Sequence, residues 1–283
     1  MTLAYRSLYD MVERTRSLQR FEGRLESILD DIVRVLKKKD RTGRDHGILV
    51  FQTPRIIRAL LDFKEENPDD PRLLRLLRLG VDTSLSIYRR YDDPTTIDGP
   101  LELRNEIAKA NGGLLERALR QYPDDISLVA SEPRFSQATA RELAQIIGSE
   151  QAMLFVTAHG AIGAGLDVVL RYEEVSCRRN LEFYPVRYSR SENKGYRDTE
   201  PRLTPAEIEH LRKAVNGKRV IVFDENRCTG KTLETVAEFI SKEVAPDQDV
   251  NTVCNVNTGA GGVWVELYCR LQDNGRLIGA PTA

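Results

Sequence analysis

The chain has no apolar run near the roughly 20 residues that cross a bilayer. Its opening stretch, MTLAYRSLYDMVERTRSLQR, is charged from the start and has no apolar signal core. Histidine is scarce, at three (His46, His159, His210), and the four cysteines (Cys177, Cys228, Cys254, Cys269) form no C-x-x-C pair, so a Cys/His metal site is not expected. An excess of positive charge is also missing. The 42 Lys+Arg against 43 Asp+Glu leave a net charge of −1, where a binder of phosphate backbones would be strongly basic. There is no internal repeat and no low-complexity tract. These absences predict a cytoplasmic protein with reduced thiols, no membrane partner and no nucleic acid as default partner. Each cysteine reads as a small buried apolar residue, with Cys228 set apart by its position.

What the chain does have is 41% hydrophobic and 30% charged residues over 283 positions, enough apolar material for a core and a length that suits two domains. The first is predicted over 1–122 and is all-helical. Leu18, Phe21, Leu25, Ile28, Leu29, Ile32, Val35 and Leu36 recur at steps of three and four, which predicts a helix over 5–39. Further helical patterns cover 55–66, the stretch from Asp70-Pro71 through Tyr88, and 100–121. Asp70 reads as an N-cap and Pro71 as the first helical residue. NPDDP, YDDPTTIDGP and YPDD separate the patterns with turn chemistry. Residues 1–130 carry 23 Lys+Arg and 22 Asp+Glu, so no basic face shows in this half and no function is readable from it.

The second domain is predicted over 123–283. Strand patterns at 126–130, 153–157, 181–189, 219–223, 250–256 and 263–269 alternate with helical ones at 135–148, 160–172, 205–215 and 233–244. Ser136 reads as the N-cap and Gly148 as the C-terminal stop of the first of these helices. Thr204-Pro205-Ala206-Glu207 is a capping box with proline at the first helical position. Pro185 argues that its strand lies at an edge or carries a bulge. This alternation predicts an α/β fold with a mostly parallel sheet and flanking helices.

One segment carries recognisable chemistry. An apolar strand, Val220 to Phe223, ends in two adjacent carboxylates, Asp224 and Glu225. Asn226, Arg227 and Cys228 follow, then Thr229-Gly230-Lys231-Thr232 at the start of a helix. In an open α/β sheet, ligands bind at the carboxyl ends of the strands. Two acids there accept hydrogen bonds from a vicinal diol. A Thr-Gly-Lys-Thr turn at a helix N-terminus offers backbone N–H groups, two hydroxyls and the positive end of the helix dipole to a phosphate monoester. Together they describe a site for ribose 5-phosphate.

This segment resembles the phosphoribosyl-pyrophosphate signature of the type I phosphoribosyltransferases: four apolar residues, an acidic pair, three loop residues, then T-G-K-T. The resemblance implies the type I fold for the second half alone. It implies that Asp224 and Glu225 hold the ribose hydroxyls and share a Mg²⁺, and that Cys228, Thr229, Gly230, Lys231 and Thr232 cradle the 5-phosphate. The family's pyrophosphate loop corresponds to Thr157-Ala158-His159-Gly160-Ala161, so Ala158, His159 and Gly160 are candidate pyrophosphate contacts. Its mobile loop corresponds to 190–200, and Arg187, Arg190 and Lys194 are the candidate cations for the leaving group. The implied activity is that of a glycosyltransferase of nucleotide metabolism. It moves ribose 5-phosphate from phosphoribosyl pyrophosphate to a small-molecule nitrogen acceptor through an oxocarbenium-like transition state, and a homodimer is left open.

The chain departs from the family at several points. Asn226 and Arg227 stand where apolar residues are usual, and Ala161 replaces the second glycine of the pyrophosphate loop. Cys228 stands where members acting on 6-oxopurines carry aspartate, which argues against hypoxanthine or guanine as acceptor. Blander accounts compete with each assignment. Asp224 and Glu225 can be a solvated strand end, His159 a loop histidine, Arg187 half of a surface ion pair and Trp264 a core residue. Cys228 as a nucleophile lacks a visible activating base. Lys231 can also be read as a Walker lysine, against which Glu225 stands where that motif needs glycine. The alternatives to an enzyme of this class are a regulator that senses phosphoribosyl pyrophosphate without turning it over, and an NTPase.

Overall fold

The structure, a computed structural model, describes residues 23–111, 113–119, 133–158, 160–188, 198–227, 230–257, 272–273 and 276–277. The chain divides into two units, Met1–Ile126 and Ser127–Ala283.

The first unit runs β1 (Gly23–Arg24), α1 (Leu25–Leu36), α2 (Gly43–Glu66), α3 (Arg72–Arg90), a 3-10 turn (Pro94–Ile97), α4 (Asp98–Asn111), α5 (Gly113–Glu116) and β2 (Ala118–Leu119). Helix α1 packs on α2 and α4, α2 on α3, and α3 on α4, which closes a ring of four helices. The three-and-four spacing seen in the sequence is the buried stripe of α1: Leu25, Ile28, Leu29, Ile32, Val35 and Leu36. Residues 5–22 of the expected first helix lie outside the described residues.

Helix α2 begins at Gly43, twelve residues before the expected start at 55. It opens with a capping box: Thr42 Oγ1 accepts from the Asp45 N–H at 3.3 Å, and Asp45 Oδ2 accepts from the Thr42 N–H at 2.9 Å. Pro54 lies inside this helix and lacks the N–H that would bond the carbonyl four residues back. That carbonyl belongs to Val50, and here the buried Tyr88 hydroxyl of α3 donates to it at 2.9 Å. Packing between α2 and α3 therefore supplies the hydrogen bond that Pro54 removes.

The expected cap of α3 is corrected: Pro71 is the N-cap and the helix starts at Arg72, while Asp70 Oδ1, one residue earlier, accepts from the Arg72 N–H at 3.0 Å. The expected helix over 100–121 is corrected. α4 covers Asp98–Asn111 and α5 Gly113–Glu116, after which Ala118–Leu119 pairs antiparallel with Gly23–Arg24. The unit is helical but not all-helical.

The second unit runs α6 (Pro133–Ile147), β3 (Ala152–Ala158), α7 (Ala161–Ser176), β4 (Leu181–Arg187), α8 (Pro205–Ala214), β5 (Arg219–Arg227), α9 (Lys231–Glu243), β6 (Val250–Asn257), and a short antiparallel pair, β7 (Gln272–Asp273) with β8 (Arg276–Leu277). Its sheet has the order β4-β3-β5-β6, and every pairing in it is parallel. The fold is α/β. Among the described residues β4 lies at the sheet edge, a position that tolerates Pro185. The capping box of α8 is present, and its Glu207 also accepts from the Tyr184 hydroxyl of β4 at 2.6 Å.

One expected cap shifts by about a turn. Ser136 is not the N-cap of α6. That helix starts at Pro133, and the buried Ser136 Oγ accepts from Asn255 Nδ2 at 3.3 Å, docking α6 on β6. Gly148 does follow the helix with φ +55°. Cys254 is buried, but Cys177 is exposed, because it occupies the left-handed turn that ends α7. The strands expected at 126–130 and 263–269, and with them Trp264 and Cys269, lie outside the described residues. No described helix is long and apolar enough to cross a membrane.

Candidate active site

From β3 the chain crosses through α7 to β4 on one side. From β5 it crosses through α9 to β6 on the other. Both crossovers join parallel strands, so the right-handed rule places α7 and α9 on opposite faces of the sheet. The order of the strands reverses between β3 and β5, and the crevice beyond their carboxyl ends is where such sheets bind ligands. The turn after β3 leads into α7, and the turn after β5 leads into α9, so two helix N-termini border this crevice. Both helices start from a glycine N-cap, Gly160 and Gly230, without a side-chain cap. Helices α2 and α8, by contrast, carry full capping boxes. Gly230 has φ +79°, which a residue with a Cβ adopts only with strain.

Strand β5 does not end at Phe223 as the sequence reading expected. It runs on to Arg227, with Asp224 opposite Cys254 and Asn226 opposite Val256 of β6. The acidic pair is therefore part of the sheet, and alternation sends its two side chains to opposite faces. Val156 of β3 packs against Gly165 of α7, and Val156 pairs with Phe223, so Phe223 and Glu225 share the α7 face. The contacts agree. A Cβ added at Gly160, at the mouth of α7, would stand 3.0 Å from Glu225 Cδ and closer still to its Oε1. Asp224 turns to the other face and is buried. Its Oδ1 accepts from Thr157 Oγ1 at 2.6 Å and from the Glu225 N–H at 3.0 Å.

Thr157 is the residue that sequence reasoning placed in the loop without giving it a task. A lone hydroxyl closing the apolar run of β3 was the available signal. Asn226 lies on the Asp224 face by the same alternation, and its Oδ1 is buried with no hydrogen-bond partner among the described residues.

The structure brings together Asp224, Glu225, Ala158 and Gly160 at the carboxyl ends of adjacent strands, with Gly230, Lys231 and Thr232 at the start of α9. It treats Arg187 differently. This residue ends β4 opposite Ala158, is buried, and its Nε donates to the equally buried Asp198 Oδ2 at 3.3 Å. The Arg187 carbonyl accepts from the Arg202 N–H at 3.0 Å, and the Tyr188 N–H donates to the Ala158 carbonyl at 3.2 Å. Arg187 thus ties the end of β4 to the segment returning toward α8. Its guanidinium is engaged by Asp198, a partner the sequence did not suggest. His159, Arg190, Lys194, Cys228 and Thr229 lie outside the described residues.

No group of three or more His, Cys, Asp or Glu placed to hold a metal occurs among the described residues. Asp224 and Glu225 point to opposite faces of the sheet and do not converge on one cation, so a Mg²⁺ here would be held by one of them with phosphate oxygens and water completing its shell. No protein-family model, curated sequence or solved structure matches the chain.

Proposed function

We propose that the second unit is a type I phosphoribosyltransferase-like domain that binds 5-phosphoribosyl-1-pyrophosphate and transfers its ribose 5-phosphate to a nitrogen nucleophile. The observation that carries this is the reversal of strand order between β3 and β5. It sets an acidic pair and two uncapped helix mouths around one crevice. Helix mouths suit the two anionic ends of the ligand, the 5-phosphate at α9 and the pyrophosphate at α7. The acids between them suit the sugar hydroxyls.

In this assignment Asp224, oriented by Thr157, accepts from a ribose hydroxyl, and Glu225 does so from the α7 side. Thr229, Lys231 and Thr232 hold the 5-phosphate. Mg²⁺, held by one carboxylate of the pair with the ligand's own oxygens, would offset charge on the departing pyrophosphate. The acceptor nitrogen forms a bond to C1 as the bond from C1 to the pyrophosphate oxygen breaks. The acceptor's proton passes to solvent or to the leaving group. No covalent intermediate with the protein is needed. Positioning and charge stabilisation supply the rate.

The test is pyrophosphate release from phosphoribosyl pyrophosphate with Mg²⁺ and a panel of nucleobases and aromatic acids. The double substitution Asp224→Asn with Glu225→Gln should abolish it. Release that survives the substitution refutes the assignment.

The Asn226 side-chain carbonyl, buried with no hydrogen-bond partner among the described residues, and the sequence departures at Arg227 and Cys228 favour a second reading, a sensor that binds the same ligand without turnover. Tight, Mg²⁺-dependent binding with no release across the whole panel selects the sensor.

A further inference from the structure

Three helix ends of the first unit meet around one imidazole. Arg41, in the link from α1 to α2, reaches both ways. Its Nε donates to the Val35 carbonyl at 3.1 Å and its Nη2 to the Leu36 carbonyl at 2.8 Å, while Nη1 donates to Asp92 Oδ1, just past α3, at 3.1 Å. One guanidinium thus caps the end of α1 and ties it to the end of α3. His46, in the first turn of α2, is 6% exposed and lies within the field of this guanidinium. Its ring meets that of Tyr91, the C-cap of α3, edge-on at 5.6 Å and 87°. The charges acting on the ring are Arg41 from the link, Asp45 from α2 and Asp92 from the end of α3. Both acids are engaged elsewhere. Asp45 accepts from Lys38 Nζ at 2.6 Å and from the Thr42 N–H at 2.9 Å, and Asp92 accepts from Arg41. Asp93, next along the chain, accepts instead from the Thr95 N–H and hydroxyl.

We propose that His46 is a proton-sensitive latch of the helical unit: neutral, it packs on Tyr91 and leaves Arg41 to hold the ends of α1 and α3; protonated, it loosens the junction. An imidazolium here would stand near a second cation, at the positive end of the α2 dipole and away from water. It would also draw on Asp92, and whatever Asp92 gives to it is taken from Arg41. The last carbonyls of α1 and the end of α3 would then lose their common tie. Burial, helped by Arg41 and opposed by Asp92, the Thr42 backbone and Asp45, holds the His46 pKa below the ordinary 6.5. A histidine depressed by folding leaves stability intact above its unfolded pKa and withdraws it as the pH falls through the folded one. Asp45, with its pKa at about 2, titrates far below this range and does not blur it.

The experiment is deuterium exchange of the full chain at about pH 7.5 and about pH 5, corrected for the pH dependence of intrinsic exchange. In the wild type, amides at the end of α1 and the start of α2 should lose at least about threefold in protection at the lower pH. His46→Gln keeps a polar side chain but takes up no proton, and should hold its protection at both. Losses of equal size in the two proteins, or none in the wild type, overturn the proposal. Because glutamine also changes the packing on Tyr91, a titration of carbon-13-labelled histidine by NMR, in the wild type and in Asp92→Asn, gives a second measurement. The His46 resonance should titrate below 6.5 and move further down in Asp92→Asn, since that carboxylate favours the imidazolium. A His46 resonance that titrates at or above 6.5, or that ignores the loss of Asp92, overturns the latch as well.

Discussion

Replacing Tyr88 with phenylalanine removes one oxygen from the helical unit and leaves the ring in place. Tyr88 and Val50 are both fully buried, so water cannot take over the bond from the Tyr88 hydroxyl to the Val50 carbonyl. Pro54 has already removed the helical donor for that carbonyl. The variant therefore leaves a buried acceptor without its donor, at an expected cost of about 1–3 kcal/mol, above the roughly 1 kcal/mol of an ordinary net hydrogen bond. The cost should shrink when position 54 can donate again. In a Pro54→Ala background the restored backbone N–H reaches the Val50 carbonyl, and Tyr88→Phe should then cost about 1 kcal/mol less than in the wild type. Urea unfolding of the four proteins of this cycle, followed by circular dichroism, gives the coupling energy. Equal costs of Tyr88→Phe in both backgrounds would refute the idea that the hydroxyl stands in for the missing helical bond.

Asp45 predicts an acid-sensitive contribution to the same unit. Burial tends to raise its pKa, but hydrogen bonds from Lys38 and from the Thr42 backbone and hydroxyl hold it down to about 2, below the ordinary 3.8. A carboxylate depressed by folding adds stability above its unfolded pKa and loses it as the pH falls through the folded one. Lys38 is 41% exposed, which discounts the ion pair, so the wild type should lose on the order of 1–2 kcal/mol more than Asp45→Asn between about pH 4 and pH 2. Urea titrations at those pH values check it, and parallel losses in the two proteins would contradict it. Thr157→Val, which keeps the branched shape and deletes the donor to Asp224, should lower the unfolding free energy by about 1–3 kcal/mol. It should also weaken ribose 5-phosphate binding severalfold in calorimetry. Wild-type values on both counts would show that Thr157 does not position the acid.

Much of this architecture could be read from side-chain periodicity. The stripe of α1, the capping box at Thr204 and the alternation of β3 to β6 depend on local pattern, and the structure keeps them. The failures share a cause: each turns on a partner distant in the chain. The first turns of α2 were not expected, and the Tyr88 hydroxyl that makes Pro54 tolerable inside the helix lies on another helix. β5 was expected to stop at Phe223 because carboxylates suggest a loop, whereas β6 supplies the pairing that keeps Asp224 and Asn226 in the sheet. Arg187 was read either as a cation for the leaving group or as half of a surface ion pair, and the folded chain supplies a buried partner, Asp198, that no local pattern points to. The acidic pair and the Thr-Gly-Lys-Thr turn were visible as a motif, but their division between two faces of the sheet depends on register, which no short window of sequence specifies.

That division has a mechanical consequence. A molecule lodged between β3 and β5 would be fastened to both wings of the doubly wound sheet, through Glu225 and the α7 turn on one face and Asp224 with the α9 turn on the other. It would act as a rivet through the layer, so occupancy would resist the parting of these two central strands more than the loosening of either outer one. Protection of the β3 and β5 amides against deuterium exchange would then rise on binding, while the outer strand β4 would change little.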